Sequence, residues 1–231
     1  ELAARYRAGT REMTLPFRAC TRKDQWIWLE INLHLTPGDG KNAIEAIGYV
    51  KVIEDRKALE HRASFDGLTQ LLNRETVEEQ IRLYLESTTD PCSLMIFDVD
   101  NFKSVNDQLG HSAGDMLLRK VADEVRKHLR QTDIVGRLGG DEFVALLRNA
   151  TAQTAMDKGA ELLQAVATAK KNDPQETSIT VSIGIACVPR DGRTFAELYA
   201  VADKALYAAK AHGKNCCFSS TDILIDCAEK P

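Results

Sequence analysis

No stretch of this 231-residue chain is apolar for the roughly 20 residues that a bilayer-spanning helix requires. No secretory leader is expected within these residues, because Glu1-Leu2-Ala3-Ala4-Arg5 has neither a basic start nor an apolar core. The six cysteines show no CxxC or Cys/His spacing, which argues against a structural zinc site. Cys92 and Cys187 lie at the edges of apolar runs and are expected to act as small buried hydrophobes. Cys216-Cys217 leaves a redox or metal pair open as the alternative. Reduced thiols and a cytoplasmic location are the expectation, with any membrane anchor lying outside this chain. Basic excess is also absent: 30 Lys+Arg stand against 34 Asp+Glu, a net charge of -4. That balance argues against nucleic acid or an anionic membrane as partner. The first residue is not Met, so the chain is expected to be a piece of something longer. At 44% hydrophobic and 28% charged residues, the composition is that of a folded soluble chain with room for one large domain or two small ones.

The first 53 residues read as β-rich. From Trp28 onward, Leu29, Ile31, Leu33 and Leu35 alternate onto one face. Pro37-Gly38-Asp39-Gly40 is a turn cluster, and strands are expected over 13–20 and 46–53. A Trp-bearing strand, a turn, a Gly48-Tyr49 strand and then Glu54-Asp55-Arg56-Lys57 resemble the C-terminal part of a PAS/PAC sensor domain. A small β-meander is the alternative. Residues 54–64 hold strong helix formers and no Gly or Pro, which predicts a linker helix. Ile53, Ala58, Leu59 and Arg62 give it a partial seam on which two copies could pair, although a solvated helix fits equally.

Beyond Asp66, helices are expected over 75–86, 101–108, 116–130, 152–170 and 195–211, with strands over 94–99 and 179–188. Asn172-Asp173-Pro174 breaks the pattern. The interleaving of strands and helices around a hairpin predicts an α+β domain with a mainly antiparallel sheet. The hairpin is the most informative part. Gly139-Gly140-Asp141-Glu142-Phe143 lies between the apolar runs Ile134-Val135 and Val144-Ala145-Leu146-Leu147. Glycines there permit a tight turn, and the turn gathers two carboxylates whose repulsion a bound cation would relieve. An ordinary acidic hairpin is the plain alternative. Asp98 ends another apolar run, Leu94 to Phe97, where an acid can cap the next helix or hold metal.

Several segments stand together in order: Asp66-Gly67-Leu68-Thr69; Phe97-Asp98-Val99-Asp100 followed by Phe102, Lys103, Asn106, Gly110, His111, Gly114 and Asp115; the hairpin; Thr180 to Ala186; and Ala202-Asp203-Lys204-Ala205-Leu206-Tyr207-Ala208-Ala209-Lys210. Together they resemble the GGDEF family of diguanylate cyclases over about 66–215. The resemblance implies a palm-like fold shared with nucleotide cyclases, with a ferredoxin-like core. The implied domains are 1–53 PAS/PAC part, 54–64 signalling helix, 65–219 cyclase and 220–231 tail.

The same resemblance implies an enzyme that condenses two GTP into cyclic di-GMP and two pyrophosphates as a homodimer. Two Mg2+ (or Mn2+) ions per site would be held by Asp98, the Val99 carbonyl, Asp141 and Glu142. Asp141, Glu142 and Lys103 are the implied catalytic residues. Activation of the ribose 3′-hydroxyl by its metal-bound surroundings is chemically sounder than by a lone aspartate. Gly139, Gly140, Phe102, Lys103, Lys210 and Lys214 would cradle the triphosphate. The family more often has Arg where Lys214 stands, which loses bidentate geometry. Asn106 and Asp115 would read guanine, with His111 beside the nucleoside. Arg130 and Asp133 match the family's RxxD product-inhibition site, for which an ordinary local ion pair is the alternative. A domain that binds GTP or cyclic di-GMP without turning it over, or an idle adaptor, remains open at this level.

Overall fold

In the computed structural model the chain divides into two compact units, residues 1–63 and 64–231. The structure describes residues 6, 8–38, 44–55, 59, 63–168 and 179–222. In the first unit, β1 (Glu12–Cys20), β2 (Trp26–Pro37) and β3 (Ile44–Val52) form an antiparallel sheet in that order. Register rows Leu15–Ile31–Val50 and Phe17–Leu29–Val52 put apolar side chains on one face, as the alternation predicts. Glu30, on the opposite face, is buried and paired with Lys51 at 3.0 Å. Parts of the expected turn at 37–40, the linker helix at 54–64, the 152–170 helix end, the break at 172–174 and the 220–231 tail lie outside the described residues. Of the linker, Glu54, Asp55, Leu59, Ala63 and Ser64 are helical.

The second unit is a five-stranded sheet covered on both faces. Its strands are β4 (Cys92–Val99), β5 (Ile134–Gly139), β6 (Glu142–Arg148), β7 (Val181–Val188) and β8 (Cys217–Ser219), in the order β5-β6-β4-β7-β8. All neighbours are antiparallel except β7 and β8. Its helices are α1 (Arg74–Ser87), α2 (Phe102–Leu109), α3 (His111–His128), α4 (Ala152–Thr168) and α5 (Phe195–Ala211). Leu118, Val121 and Val125 of α3 and Leu162 and Val166 of α4 pack on Met95, Phe97, Phe143, Ile183 and Ile185. Val77 and Ile81 of α1 and Leu198, Ala202 and Leu206 of α5 pack on Leu94, Ile96, Val144 and Leu146. Both faces of β4 are therefore buried, which is why it reads as a continuous apolar run rather than an alternation. Among the described residues no helix is long and apolar enough to cross a membrane.

The start of α3 is the largest departure from the expected boundaries, most of which shift by one or two residues, and β8 is not among the expected strands. α3 begins at His111, not Met116, because Gly110 at φ 84° ends α2 and α3 starts at once. The intervening Ser112-Ala113-Gly114-Asp115 carries no apolar periodicity to signal it. β8 is only three residues long and too short to register as a pattern.

Candidate active site

Asp98 is the last polar position of β4, and it faces Glu142 across the β4–β6 ladder. The pair before it, Phe97 and Phe143, stacks at 5.4 Å and points to the α3–α4 side. Strand alternation therefore turns Asp98 and Glu142 to the α1–α5 side. The hairpin tip is Gly140-Asp141, with Gly139 at φ 147° and Gly140 at φ 53°; Glu142 already belongs to β6. The Val99 amide donates to the Asp141 carbonyl at 3.2 Å, which fixes the tip beside the end of β4.

The Asp98 carboxyl is pushed above its ordinary range, first by burial and then by the charge of Asp141, against the opposing bond from Lys210. The Lys210 ammonium sits 2.9 Å from Asp98. Lys214 donates to the Asn101 side chain at 2.6 Å. Asn101, at φ 59°, precedes α2 without capping it through its side chain, so the first amides of α2 have no side-chain cap. Lys103, exposed, lies in that first turn, while Phe102 packs on the core. The Val99–Asp141, Lys210–Asp98 and Lys214–Asn101 contacts thus bring the end of β4, the hairpin tip, the residue before α2 and the end of α5 into one neighbourhood of carboxylates and lysines, the basin.

Asn106 and Gly114 meet where α2 packs on α3. A Cβ at Gly114 would stand 2.0 Å from Asn106 Oδ1, so glycine makes room for the amide. That Oδ1 is buried and has no hydrogen-bond partner among the described residues. Asp115 and His111 are exposed on the first turns of α3. An unsatisfied buried acceptor is costly, and a ligand donor would relieve it.

Divalent-cation chemistry fits this donor set. Among the described residues no three Asp, Glu, His or Cys side chains converge as a metal cluster. Mg2+ needs fewer, since it commonly takes one or two carboxylates and completes its shell with substrate phosphates and water. The repulsion of Asp98 and Asp141, with a lysine drawn onto Asp98, marks a place that favours positive charge.

A sequence profile described as "Diguanylate cyclase, GGDEF domain" matches residues 63–216. The chain belongs to the GGDEF family. It is 37% identical over 164 residues to the bifunctional diguanylate cyclase/cyclic di-GMP phosphodiesterase MucR of Pseudomonas aeruginosa, covering 69% of this chain and 24% of MucR. It therefore spans about a quarter of that relative's length. Among solved structures it resembles the coiled coil and GGDEF domain of DgcB from Caulobacter crescentus, which is in complex with c-di-GMP. That match has a TM-score of 0.66 at 28% identity and covers 72% of this chain and 90% of that one. The GGDEF-only form of TpbB (YfiN) from P. aeruginosa matches at 33% identity and TM-score 0.64, covering 70% of this chain and 98% of that one. The α+β fold with its central sheet is the palm-like GGDEF fold.

Three features of the GGDEF domain were not flagged as site residues from sequence. Asp100 is buried and accepts from Thr180 (2.7 Å), Ser182 (2.7 Å) and the Asn215 amide (3.1 Å), tying β4, β7 and the loop after α5 together under the basin. Arg137 bridges Asp66 (3.0 and 3.2 Å) and the Gly140 carbonyl (3.0 and 2.6 Å), linking the opening turn at 66–69 to the hairpin tip. Arg126 of α3 also donates to the Thr69 carbonyl. Burial alone would raise the Asp66 carboxyl, but bonds from Thr69 and Arg137 hold it below its ordinary range. Tyr199 of α5 donates to Glu142 at 2.7 Å, and burial and that carboxylate push its phenol above the usual range. Apart from the Arg137–Gly140 bonds within the hairpin, these partnerships join residues far apart in sequence, where local pattern carries no signal.

Arg130 and Asp133 lie at the other end of β5 from the hairpin tip, about 20 Å away by strand rise. Asp133 accepts from the Arg130 amide at 2.9 Å and the Arg148 amide at 3.2 Å, so its carboxylate closes a turn. The local ion pair considered as an alternative is not formed: Asp133 bonds the Arg130 main chain, and the Arg130 side chain makes no ion pair among the described residues.

Proposed function

We propose that residues 65–219 are a metal-dependent diguanylate cyclase that joins two GTP into cyclic di-GMP and releases two pyrophosphates. The observation that carries this reading is that Asp98, bound by Lys210 at 2.9 Å, faces Glu142 across the ladder while the adjoining Val99 amide holds the Asp141 main chain at the hairpin tip. The complex of the similar DgcB domain with c-di-GMP supports the same class of ligand. Asp98, the Val99 carbonyl, Asp141 and Glu142 would hold the ions. Mg2+ or Mn2+, two per site, would when bound supply charge neutralisation at the triphosphate and acidify the attacking hydroxyl. Gly139 and Gly140 bring main chain close to the phosphates, where a Cβ would intrude. The α2 amides at Phe102 and Lys103 and the ammonium groups of Lys103, Lys210 and Lys214 receive their oxygens. Asn106 and Asp115 read the guanine edge, and His111 stands beside the nucleoside.

Each site activates one GTP while the product contains two, so two chains meet about a two-fold axis. The 3′-oxygen of each nucleotide loses its proton and bonds to the α-phosphorus of the other. The bond from that phosphorus to the bridging oxygen breaks, and pyrophosphate leaves. Product held at Arg130 and Asp133, remote from the basin, gives feedback inhibition. Residues 1–53 serve as the C-terminal part of a PAS/PAC sensor, 54–64 as the signalling helix that sets how two cyclase domains approach, and 220–231 as a tail.

The test is incubation with GTP and Mg2+, following cyclic di-GMP and pyrophosphate. The expected result is two pyrophosphates per cyclic di-GMP, a rate per chain that rises with chain concentration, and no product from Asp141→Ala despite retained fold. GTP binding without turnover by the unaltered chain would instead mark a receptor.

A further inference from the structure

Glu142 is the first residue of β6 and shares the α5-covered sheet face with Asp98. Its Oε1 accepts a 2.7 Å bond from the Tyr199 hydroxyl. A carboxylate has two oxygens, so this bond occupies one and leaves Oε2 available. Tyr199 is itself held in place. Its ring tilts against Phe195 at 5.8 Å and packs on the apolar layer between the sheet, α1 and α5. The first turn of α5 is fixed by a capping box between Thr194 and Glu197. The same helix meets Asp98 through Lys210 near its other end. One helix therefore contacts both carboxylates of the β4–β6 pair, Glu142 through Tyr199 and Asp98 through Lys210.

We propose that Tyr199 is a positioning residue for the cation site: it fixes one oxygen of Glu142 so that the other is aimed at the metal. This rests on the assignment of Glu142 as a metal ligand made above. Hydrogen-bonded partners behind a ligating carboxylate orient it, and their loss costs about 10- to 100-fold in metal affinity.

The test uses the full 231-residue chain with 3′-deoxy-GTP, which binds as a nucleotide but lacks the attacking hydroxyl, and Mn2+ titrated by electron paramagnetic resonance. Tyr199→Phe keeps the ring and removes only the donor. It is expected to weaken Mn2+ binding by about tenfold or more. On a Glu142→Gln background the same substitution is expected to change Mn2+ binding by no more than about twofold. Phe195→Leu, which disturbs the packing but not the hydrogen bond, is expected to leave Mn2+ affinity in place. If Tyr199→Phe binds Mn2+ as well as or better than the unaltered chain while Glu142→Gln binds it worse, the inference is wrong and the ligand assignment stands. Equal losses from Phe195→Leu and Tyr199→Phe would also overturn it, since packing would then carry the effect. If Glu142→Gln itself leaves Mn2+ binding unchanged, the ligand assignment fails and takes the inference with it.

Discussion

Arg137 spends its guanidinium on two partners that only a planar fork can reach together, the Asp66 carboxylate and the Gly140 carbonyl. Both side chains of the ion pair are mostly buried, at 12% and 24% exposure, so solvent screens it weakly. Bonds to charged groups of this kind contribute about 1.5–3 kcal/mol each. Arg137→Lys is expected to lose stability of that order, measured by urea unfolding, because an ammonium is a point donor. The pH dependence has a definite sign. The Asp66 carboxyl titrates lower in the folded chain than in the unfolded one. Its stabilisation is therefore complete above the unfolded value near pH 4 and is lost as pH falls through the folded value. Unfolding free energies measured between about pH 6 and 3 should drop less steeply for Asp66→Asn than for the unaltered chain; parallel curves would refute the assignment.

At the scale of elements, the site depends on how closely α2 and α3 approach. Gly114→Ala is expected to push Asn106 aside, because the new Cβ falls 2.0 Å from its Oδ1. If Asn106 reads the base as proposed, misplacing its amide should cost about 1–3 kcal/mol, roughly 5- to 150-fold in the KM for GTP, with little change in the Mg2+ concentration for half-maximal rate. Steady-state kinetics varying each separately checks this. The contribution of these elements was unequally legible in the sequence. β4 and the hairpin stand out because apolar runs end abruptly in glycine and acid. The N-terminal strands show through their alternation, and Cys92 is the buried small hydrophobe expected, its thiol pushed up to about 11 by burial. The start of α3 does not show, since Gly110 switches helices without a change of composition. Nor do the Asp66–Arg137 and Glu142–Tyr199 partnerships, which exist only once the sheet order brings β5, β6 and α5 together. Sequence motifs mark the family; the side chains that hold the motif residues in place belong to tertiary structure.

For the molecule as a whole, the proposed function turns on a demand for cations from the Asp98, Asp141 and Glu142 carboxylates. On that reading, ions that offset the charge of the triphosphate would let the lysines and the start of α2 receive its phosphates. On the proposed function, a two-fold encounter of chains would then decide when chemistry occurs. The most direct measurement is the anomalous-scattering position of Mn2+ in crystals grown with Mn2+ and 3′-deoxy-GTP. The account predicts Mn2+ between the carboxylates of Asp98 and Asp141, beside the Val99 carbonyl, with the triphosphate against the start of α2. Nucleotide in the basin with Mn2+ ligated elsewhere, or with no Mn2+ between those two carboxylates, would contradict it.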